Sequence, residues 1–321
     1  MNILFVTATR VGDAVLTTGV LAALIEKYTR SRITVACGAV AVPLFSVAPN
    51  VVRCIAMVKR KYSLHWLTLW RACCTTWWDL VVDFRGSGLA YLLAARTRRV
   101  YRRRPELGHR LCELAAVMNF PSPPPPRLWT NATHEEQAAG LISDEDSVLA
   151  IGPTANWQGK IWPAENFAAL VERLTSVDGV LPGARIAVLG AANEKELARP
   201  LLDTIAPERL IDLVGQADLP TAGAILKRCA LFIGNDSGLM HLAAAAGTPT
   251  LGLFGPSREE KYAPWGERTA VARTAIPYDE LFPPDYDHRT TTSLMGSLRV
   301  DAVELAARDL WRRCTSSPVD Q

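Results

Sequence analysis

Short apolar runs alternate with longer stretches of helical period, and the alternation occurs twice along the chain. Residues 2–8, 32–37, 51–56, 79–84 and 99–101 predict buried strands, and residues 14–28, 63–75, 87–96 and 109–118 predict the helices that go with them. The pattern then stops at Pro121-Ser122-Pro123-Pro124-Pro125-Pro126. Such a run can neither continue a helix nor enter a central strand, and it marks a stiff, extended segment near a domain boundary. Strand-like runs restart at 148–151, 185–189, 210–213, 231–233 and 250–253. The expectation is an α/β chain of two doubly wound halves, 1–145 and 146–321. A last helical pattern, 300–312, is a candidate to pack back across the first half, which periodicity does not decide.

Composition narrows the class. A chain of 321 residues has room for two cores, and 49% hydrophobic with 21% charged residues excludes a disordered chain or a coiled coil. The net charge of +3 argues against a general nucleic-acid binder, and no zinc-finger or basic-helix pattern occurs. Seven cysteines, odd in number and without a Cys-x-x-Cys spacing, predict neither a metal site nor a disulfide framework. The start Met1-Asn2-Ile3-Leu4 lacks a basic leader region, and no uncharged apolar stretch of about 18 residues could span a bilayer. The expected location is the cytoplasm.

Two places carry candidate chemistry. Leu231 to Ile233 run into the turn Asn235-Asp236-Ser237-Gly238, and Leu239 to Ala246 follow as a helix closed by Gly247 and Pro249. The first N–H groups of such a helix lack internal partners and the dipole there favours an anion, so Ser237 and Gly238 would present donors to a phosphate. The plain alternative is that Asn235, Asp236 and Ser237 only cap a structural helix. At the other end, the first strand runs into Thr9-Arg10-Val11-Gly12-Asp13 before a helix of good formers. Asp13 can be read as an N-cap, or as a carboxylate facing the crevice beyond the carboxyl ends of the strands, where open parallel sheets bind ligands.

Together these segments resemble glycosyltransferase family 9, the heptosyltransferases. The stretch Val6 to Thr18 is similar to that family's opening. Gly234 to Ser257, with Asp236-Ser237-Gly238, His241-Leu242-Ala243-Ala244 and Gly247-Thr248-Pro249, is similar to its most diagnostic block. Asp79 to Gly86 and Gly159 to Phe167 fit the same family, so the resemblance runs in order from residue 3 to about residue 312. Departures occur near Ala155, where the family often has hydroxyl residues, and in the segment Asp285 to Leu298.

The resemblance implies a GT-B arrangement, two Rossmann-like domains facing across a cleft, with an acceptor-binding first half and a nucleotide-sugar-binding second half. It matches Lys160 to the family's lysine on the donor phosphates; on its own residues Lys160 is a lysine in a loop, able to reach the same crevice as Ser237 and Gly238 or to stay solvated. Thr154 and Asn156 precede it and are candidates for further polar contacts. Glu194, after the strand 186–189, fits a ribose-binding acid or a first-turn helix acid equally. His241 lies one turn beyond Ser237 and matches the family's histidine, which points to orienting the diphosphate; a lone histidine on an apolar helix is otherwise a core residue. Asp236 suits sugar hydroxyls better than phosphate, since two anions repel.

The chemistry that fits is inverting displacement at an anomeric carbon. Asp13 would be the general base, and Lys160 with the N–H groups at Ser237 and Gly238 would stabilise the leaving diphosphate. The expectation is transfer without a metal or other cofactor, the charge of the leaving diphosphate being met by Lys160 and the helix start. The family implies ADP-heptose as donor and the lipopolysaccharide inner core as acceptor, with peripheral contact at the inner-membrane surface of a Gram-negative cell and no nucleic-acid partner. Arg10 and Gly12 with Lys59, Arg60 and Lys61 are the candidate acceptor-binding residues. Arg96, Arg98, Arg99, Arg102, Arg103 and Arg104 add positive charge that could meet carboxylates, phosphates or an anionic membrane, or could be a solvated face. Trp66, Trp70, Trp77 and Trp78 nearby are either core or apolar area for an interface. Rival readings are a sugar-nucleotide epimerase or hydrolase on the same fold, a relative using another donor sugar, a non-catalytic binding relative, and a nucleotide-binding oxidoreductase suggested by Gly86-Ser87-Gly88-Leu89-Ala90-Tyr91. In the last, Tyr91 stands where a third glycine is needed.

Overall fold

The computed structural model describes residues 1–58, 64–143, 146–283, 286–287 and 289–316. They divide into two units, Met1–Asn131 and Ala132–Gln321. The first contains, in order, β1 (Asn2–Val6), α1 (Val11–Lys27), β2 (Arg32–Gly38), α2 (Val42–Ser46), β3 (Val51–Met57), α3 (His65–Cys73), β4 (Trp78–Asp83), β5 (Ala95–Val100) and α4 (Arg110–Met118). Its sheet has the order β3-β2-β1-β4-β5, with every pair parallel. Phe5 of β1 stands beside Val35 on one side and Val82 on the other. After Asn2 the whole of β1 is buried, as strands covered on both faces must be, and this is why it reads as a continuous apolar run.

Helix α1 buries one residue after another from Ala14 to Ala22, and then Leu24. Each of its fully buried leucines, Leu16, Leu21 and Leu24, contributes about 1.5–3 kcal/mol. The proline run crosses this helix. A Cβ at Gly19 would stand 2.3 Å from the Pro124 carbonyl oxygen and 2.4 Å from that of Pro125, so only glycine lets the two backbones approach. Next along the chain, the Arg127 N–H donates to the Thr18 hydroxyl at 2.9 Å.

One expected helix does not form. Residues 87–96 make a short 3-10 turn, Gly88–Tyr91, and β5 starts at Ala95. The Asp83 carboxylate accepts from the Arg85 N–H at 2.8 Å and from the Ser87 N–H and hydroxyl at 2.9 and 2.6 Å, folding the chain back. Gly86 turns there with φ of 61°, open to glycine at no steric cost. The Arg98 guanidinium then takes up the carbonyls of Ala90, Leu93 and Ala95 at 2.7, 2.6 and 3.0 Å. Without a helix after the glycines, the dinucleotide fingerprint loses its phosphate-binding end.

The second unit contains α5 (Ala132–Leu141), β6 (Val148–Gly152), α6 (Ala164–Thr175), β7 (Arg185–Gly190), α7 (Lys195–Leu202), β8 (Leu210–Val214), α8 (Leu219–Lys227), β9 (Leu231–Asn235), α9 (Gly238–Ala245), β10 (Thr250–Phe254), α10 (Glu259–Tyr262), β11 (Thr269–Arg273) and α11 (Val300–Ser316). Its parallel sheet runs β11-β10-β9-β6-β7-β8. The division between units falls before α5, not at the expected 145/146. Helix α5 packs on α8, with the Thr221 hydroxyl donating to the Gln137 amide oxygen at 3.1 Å and Arg228 Nε to the Ile142 carbonyl at 2.7 Å. The last helix, a candidate to return to the first half, buries Val303, Ala307 and Leu310 in the second core and packs on α6, β10 and β11. No helix among the described residues is long and apolar enough to cross a membrane, and all seven cysteines are free.

In each sheet the strand order reverses once, between β1 and β4 and between β6 and β9. Beyond the carboxyl ends of the strands, such switch points leave a crevice where open α/β sheets bind ligands.

Candidate active site

In the second unit, the β6/β9 switch point gathers most of the residues expected to hold a donor. Strand β9 ends on Asn235, which is fully buried. Its side-chain oxygen accepts from the Trp162 N–H at 3.1 Å and its amide donates to the Pro153 carbonyl at 2.8 Å. One residue therefore fixes both ends of the loop that follows β6. Within that loop Lys160 closes a 3-10 turn, Gln158–Lys160, and its ammonium pairs with the Asp236 carboxylate. Asp236 is buried, and the Lys160 side chain keeps 22% of its surface open.

A segment distant in sequence braces the same turn. The Leu294 N–H donates to the Gly159 carbonyl at 3.0 Å, and the Ser293 hydroxyl donates to the Ile161 carbonyl at 2.6 Å. Trp162 Nε1 reaches the Leu298 carbonyl at 2.9 Å. These bonds hold the backbone on either side of Lys160.

Helix α9 begins beside the Lys160–Asp236 pair. Ser237 is its N-cap residue, in an extended conformation with φ of −147°, and its side chain makes no cap bond. The capping reading of this serine therefore does not hold. The Ser237 hydroxyl is buried and has no hydrogen-bond partner among the described residues. Gly238 is the first residue of the helix, where N–H groups have no intrahelical carbonyl to reach. An orphan buried hydroxyl costs about 1–3 kcal/mol, and an acceptor oxygen at this helix end would satisfy it together with the N–H groups. His241 follows one turn later and is buried.

At the end of β7, Glu194 accepts from the Thr154 hydroxyl at 2.8 Å and from the Ala191 N–H at 2.9 Å through one oxygen, Oε2. Thr154 is buried with its hydroxyl directed at Glu194, so it positions that carboxylate. Asn156 is exposed. Among the described residues, no group of three or more His, Cys, Asp or Glu stands together as a metal site would require.

The β1/β4 switch point of the first unit carries the other expected residues. Arg10 is the N-cap of α1 without a side-chain cap bond, and Asp13 lies in the first turn, which removes the N-cap reading of Asp13. Asp13 Oδ1 is 3.8 Å from Arg110 Nε, with 27% of the aspartate side chain open. Arg110 is itself held: its Nη1 donates to Glu113 Oε2 at 2.7 Å, and its guanidinium lies 4.3 Å from the Tyr101 ring centre. The Tyr101 hydroxyl donates to the same Glu113 oxygen at 2.8 Å. Burial, and next to it this bond, pushes the Tyr101 phenol above its ordinary value. Arg85 Nη1 donates to the Thr9 hydroxyl at 3.1 Å, and a Cβ at Gly38 would stand 2.3 Å from the Thr9 carbonyl oxygen. The loop leading to Asp13 is thus pinned from two strands.

Of the expected acceptor residues, Arg10 is exposed and Gly12 half-buried, and Lys59, Arg60 and Lys61 lie outside the described residues. The arginine run does not act as one: Arg98 is occupied by backbone carbonyls, whereas Arg96, Arg102, Arg103 and Arg104 are exposed. Two residues in these sites carry no expectation from sequence: Arg110 and Ser293 sit in segments with no motif that marks them, whereas Asn235 reads as part of a turn or as a helix cap. A polar residue closing a fully apolar strand was the available signal for Asn235.

The family model for glycosyltransferase family 9 (heptosyltransferase) matches residues 80–281. Among curated proteins, lipopolysaccharide heptosyltransferase 2 of Salmonella typhimurium is 27% identical over 168 residues, 49% of this chain and 47% of that protein. Lipopolysaccharide heptosyltransferase 3 of Escherichia coli is 27% identical over 187 residues, 58% of this chain and 52% of that protein. The chain thus spans about half the length of the curated relatives it matches. A family 9 glycosyltransferase from Veillonella parvula has the same fold, with a TM-score of 0.79, 20% identity and 97% of both chains covered. The E. coli ADP-heptose lps heptosyltransferase II gives a TM-score of 0.74 at 21% identity, covering 97% of this chain and 98% of that one. The fold is therefore GT-B, built from two Rossmann-like units.

Proposed function

The chain belongs to glycosyltransferase family 9 (heptosyltransferase), and on that premise we propose that it transfers a heptose from ADP-heptose to the inner core of lipopolysaccharide. One observation carries the donor half of this reading: the Lys160–Asp236 pair stands beside the open start of α9, where a buried Ser237 hydroxyl lacks a partner among the described residues. An ammonium group, free N–H groups and an orphan hydroxyl at a sheet's switch point form a receptor for a diphosphate. The donor named for the E. coli structure of the same fold, ADP-heptose, has that group. The acceptor is taken from the names of the lipopolysaccharide-modifying relatives.

In the proposed reaction an acceptor hydroxyl attacks the anomeric carbon of the heptose from the face opposite ADP. The bond from that carbon to the β-phosphate oxygen breaks, its electron pair leaves with ADP, and the configuration inverts. Asp13 takes the hydroxyl proton as general base. Lys160 and the first N–H groups of α9 stabilise the charge that grows on the departing diphosphate, the role a divalent ion plays where one is bound. Asp236, once Lys160 turns to phosphate, is left to accept from sugar hydroxyls, and His241 orients the diphosphate from the next helical turn. Glu194, held by Thr154, receives the ribose hydroxyls. Arg10 and Gly12 line the acceptor side, with Lys59, Arg60 and Lys61 as further cations for its carboxylates and phosphates. The reaction needs no metal or other cofactor in this account.

The test is the product. Incubation with ADP-heptose and lipid A carrying Kdo, or that acceptor already bearing heptose, should add one heptose to one of the two by mass. The new linkage should have the anomeric configuration opposite to the donor's by nuclear magnetic resonance. An unchanged mass for both acceptors would overturn the assignment of donor and acceptor, and retained configuration would overturn the single displacement.

A further inference from the structure

The donor site has a direction along the second sheet. In the strand order β11-β10-β9-β6-β7-β8, Glu194 follows β7, Lys160 follows β6 and α9 follows β9. A nucleotide sugar is linear in the same way: nucleoside, then diphosphate, then sugar. With the ribose at Glu194 and the diphosphate between Lys160 and the start of α9, the sugar falls on the side of β10 and β11.

That side carries a row of aromatic rings. Tyr278, Phe282 and Tyr286 lie in the segment after β11, with ring centres 5.3 Å apart from Tyr278 to Phe282 and 5.0 Å from Phe282 to Tyr286. Trp157, in the loop after β6, continues the row 6.2 Å from Tyr286. The three pairs cross at 74°, 76° and 79°, the edge-to-face arrangement that ring quadrupoles favour. All four residues are half-buried. One such ring is ordinary, but four in mutual contact form a continuous aromatic surface that the core has not taken up.

Both ends of the row are held. At one end the Arg258 guanidinium lies 4.2 Å from the Tyr278 ring centre and donates to Asp279 at 2.7 Å. At the other the indole lies against the turn that presents Lys160: a Cβ at Gly159 would stand 2.6 Å from Trp157 Cζ2, and the Lys160 N–H donates to the Trp157 carbonyl at 3.1 Å. The segment that carries Tyr286 returns to this turn through the Ser293 and Leu294 bonds to Ile161 and Gly159.

We infer that Trp157 and Tyr286 form the platform on which the sugar ring of the donor stacks, with Phe282, Tyr278 and Arg258 bracing Tyr286 in turn; this rests on the ADP-heptose reading of the same site. A sugar ring has hydroxyls around its rim and C–H groups on its face, and those polarised hydrogens meet the negative face of an aromatic ring. Rings already fixed by their neighbours lose little freedom when they bind. A nucleobase would stack as well, but a ribose at Glu194 carries the base away from β10 and β11. Trp157 stands two residues after Ala155, and Tyr286 lies within Asp285 to Leu298, so both fall where the chain departs from the family pattern. The platform is thus a means by which this chain selects its own donor sugar.

The test is calorimetry with ADP and with ADP-heptose, without acceptor, on the native chain, Tyr286→Ala, Tyr286→Phe and Trp157→Ala. The ratio of ADP-heptose affinity to ADP affinity is expected to fall about threefold to tenfold in each alanine variant and to stay native in Tyr286→Phe. A ratio that stays native in either alanine variant overturns the platform and leaves the donor reading standing, because the rings would then at most prop the Lys160 turn. A native chain that does not bind ADP-heptose overturns the donor reading itself, and the platform with it.

Discussion

At the residue scale the donor site depends on one ion pair and the backbone that presents it. Lys160→Ala removes both a phosphate contact and the partner of a buried carboxylate. A buried charge left unpaired is costly, and with Lys160 partly open to water the expected loss is about 1–3 kcal/mol of stability. Losing a charge-assisted phosphate contact weakens ADP about tenfold. Calorimetry for ADP and a thermal melt read the two effects apart; a variant that binds ADP normally removes Lys160 from the donor site. Ser293 acts at one remove. Its hydroxyl donates to Ile161 and accepts from the Met295 N–H at 3.1 Å, so Ser293→Ala should raise KM for the donor about threefold to tenfold through one lost hydrogen bond, with kcat little changed and Ser293→Thr restoring most of it. An unchanged KM would show that the segment only packs there.

Much of this was legible at the residue level because polar residues interrupted apolar runs. Asp236, Ser237 and Gly238 stood out where a strand met a helix, and Asp13 where the first strand met its own. Arg110 and Ser293 were not legible. Each is brought in by a segment far along the chain, and nothing local in Gly108-His109-Arg110 or Thr292-Ser293-Leu294 records what it will touch.

At the scale of elements, strands that are buried on both faces announced themselves: of the eleven strands among the described residues nine match expected apolar runs, and β5, Ala-Arg-Thr-Arg-Arg-Val, meets its expected run 99–101 only at its last two residues. The eleventh, β11, is Thr-Ala-Val-Ala-Arg, too short and too small in its side chains to read as one. The helix expected over 87–96 failed for a reason that periodicity cannot contain: Asp83, Gly86 and the Arg98 guanidinium favour a turn by hydrogen bonding. Helix α11 illustrates pairing between elements. Arg173 of α6 donates to Asp301 at 2.7 Å and to Glu304 at 3.1 Å. The hydrogen bond, and after it the charge attraction, holds the Asp301 carboxyl below its ordinary 3.8. A carboxyl lowered by folding adds stability above its unfolded pKa and loses it as pH falls through the folded one. The native chain should therefore melt above Asp301→Asn at neutral pH, and the gap should close in acid below 3.8. A gap of constant size across that range would mean that the ion pair does not clamp α11.

At the scale of the whole molecule, the doubling of the alternating pattern foretold two parallel-sheet units, and the proline run lay close to their junction. The boundary itself was misplaced because α5 has a weak apolar stripe, with Ala138 as its one buried residue among those described, and joins the second unit through α8. The division of labour proposed for the units, acceptor in the first and donor in the second, turns on Asp13 acting upon chemistry whose leaving group is held elsewhere in the chain. The most direct test is ADP release from ADP-heptose in the presence of lipid A carrying Kdo, for the native chain and for Asp13→Asn, with ADP affinity measured alongside. Release that requires the acceptor and falls by about 10²–10⁴ in the variant, with ADP affinity unchanged, is the predicted result. Near-native release from Asp13→Asn would contradict the account at its centre.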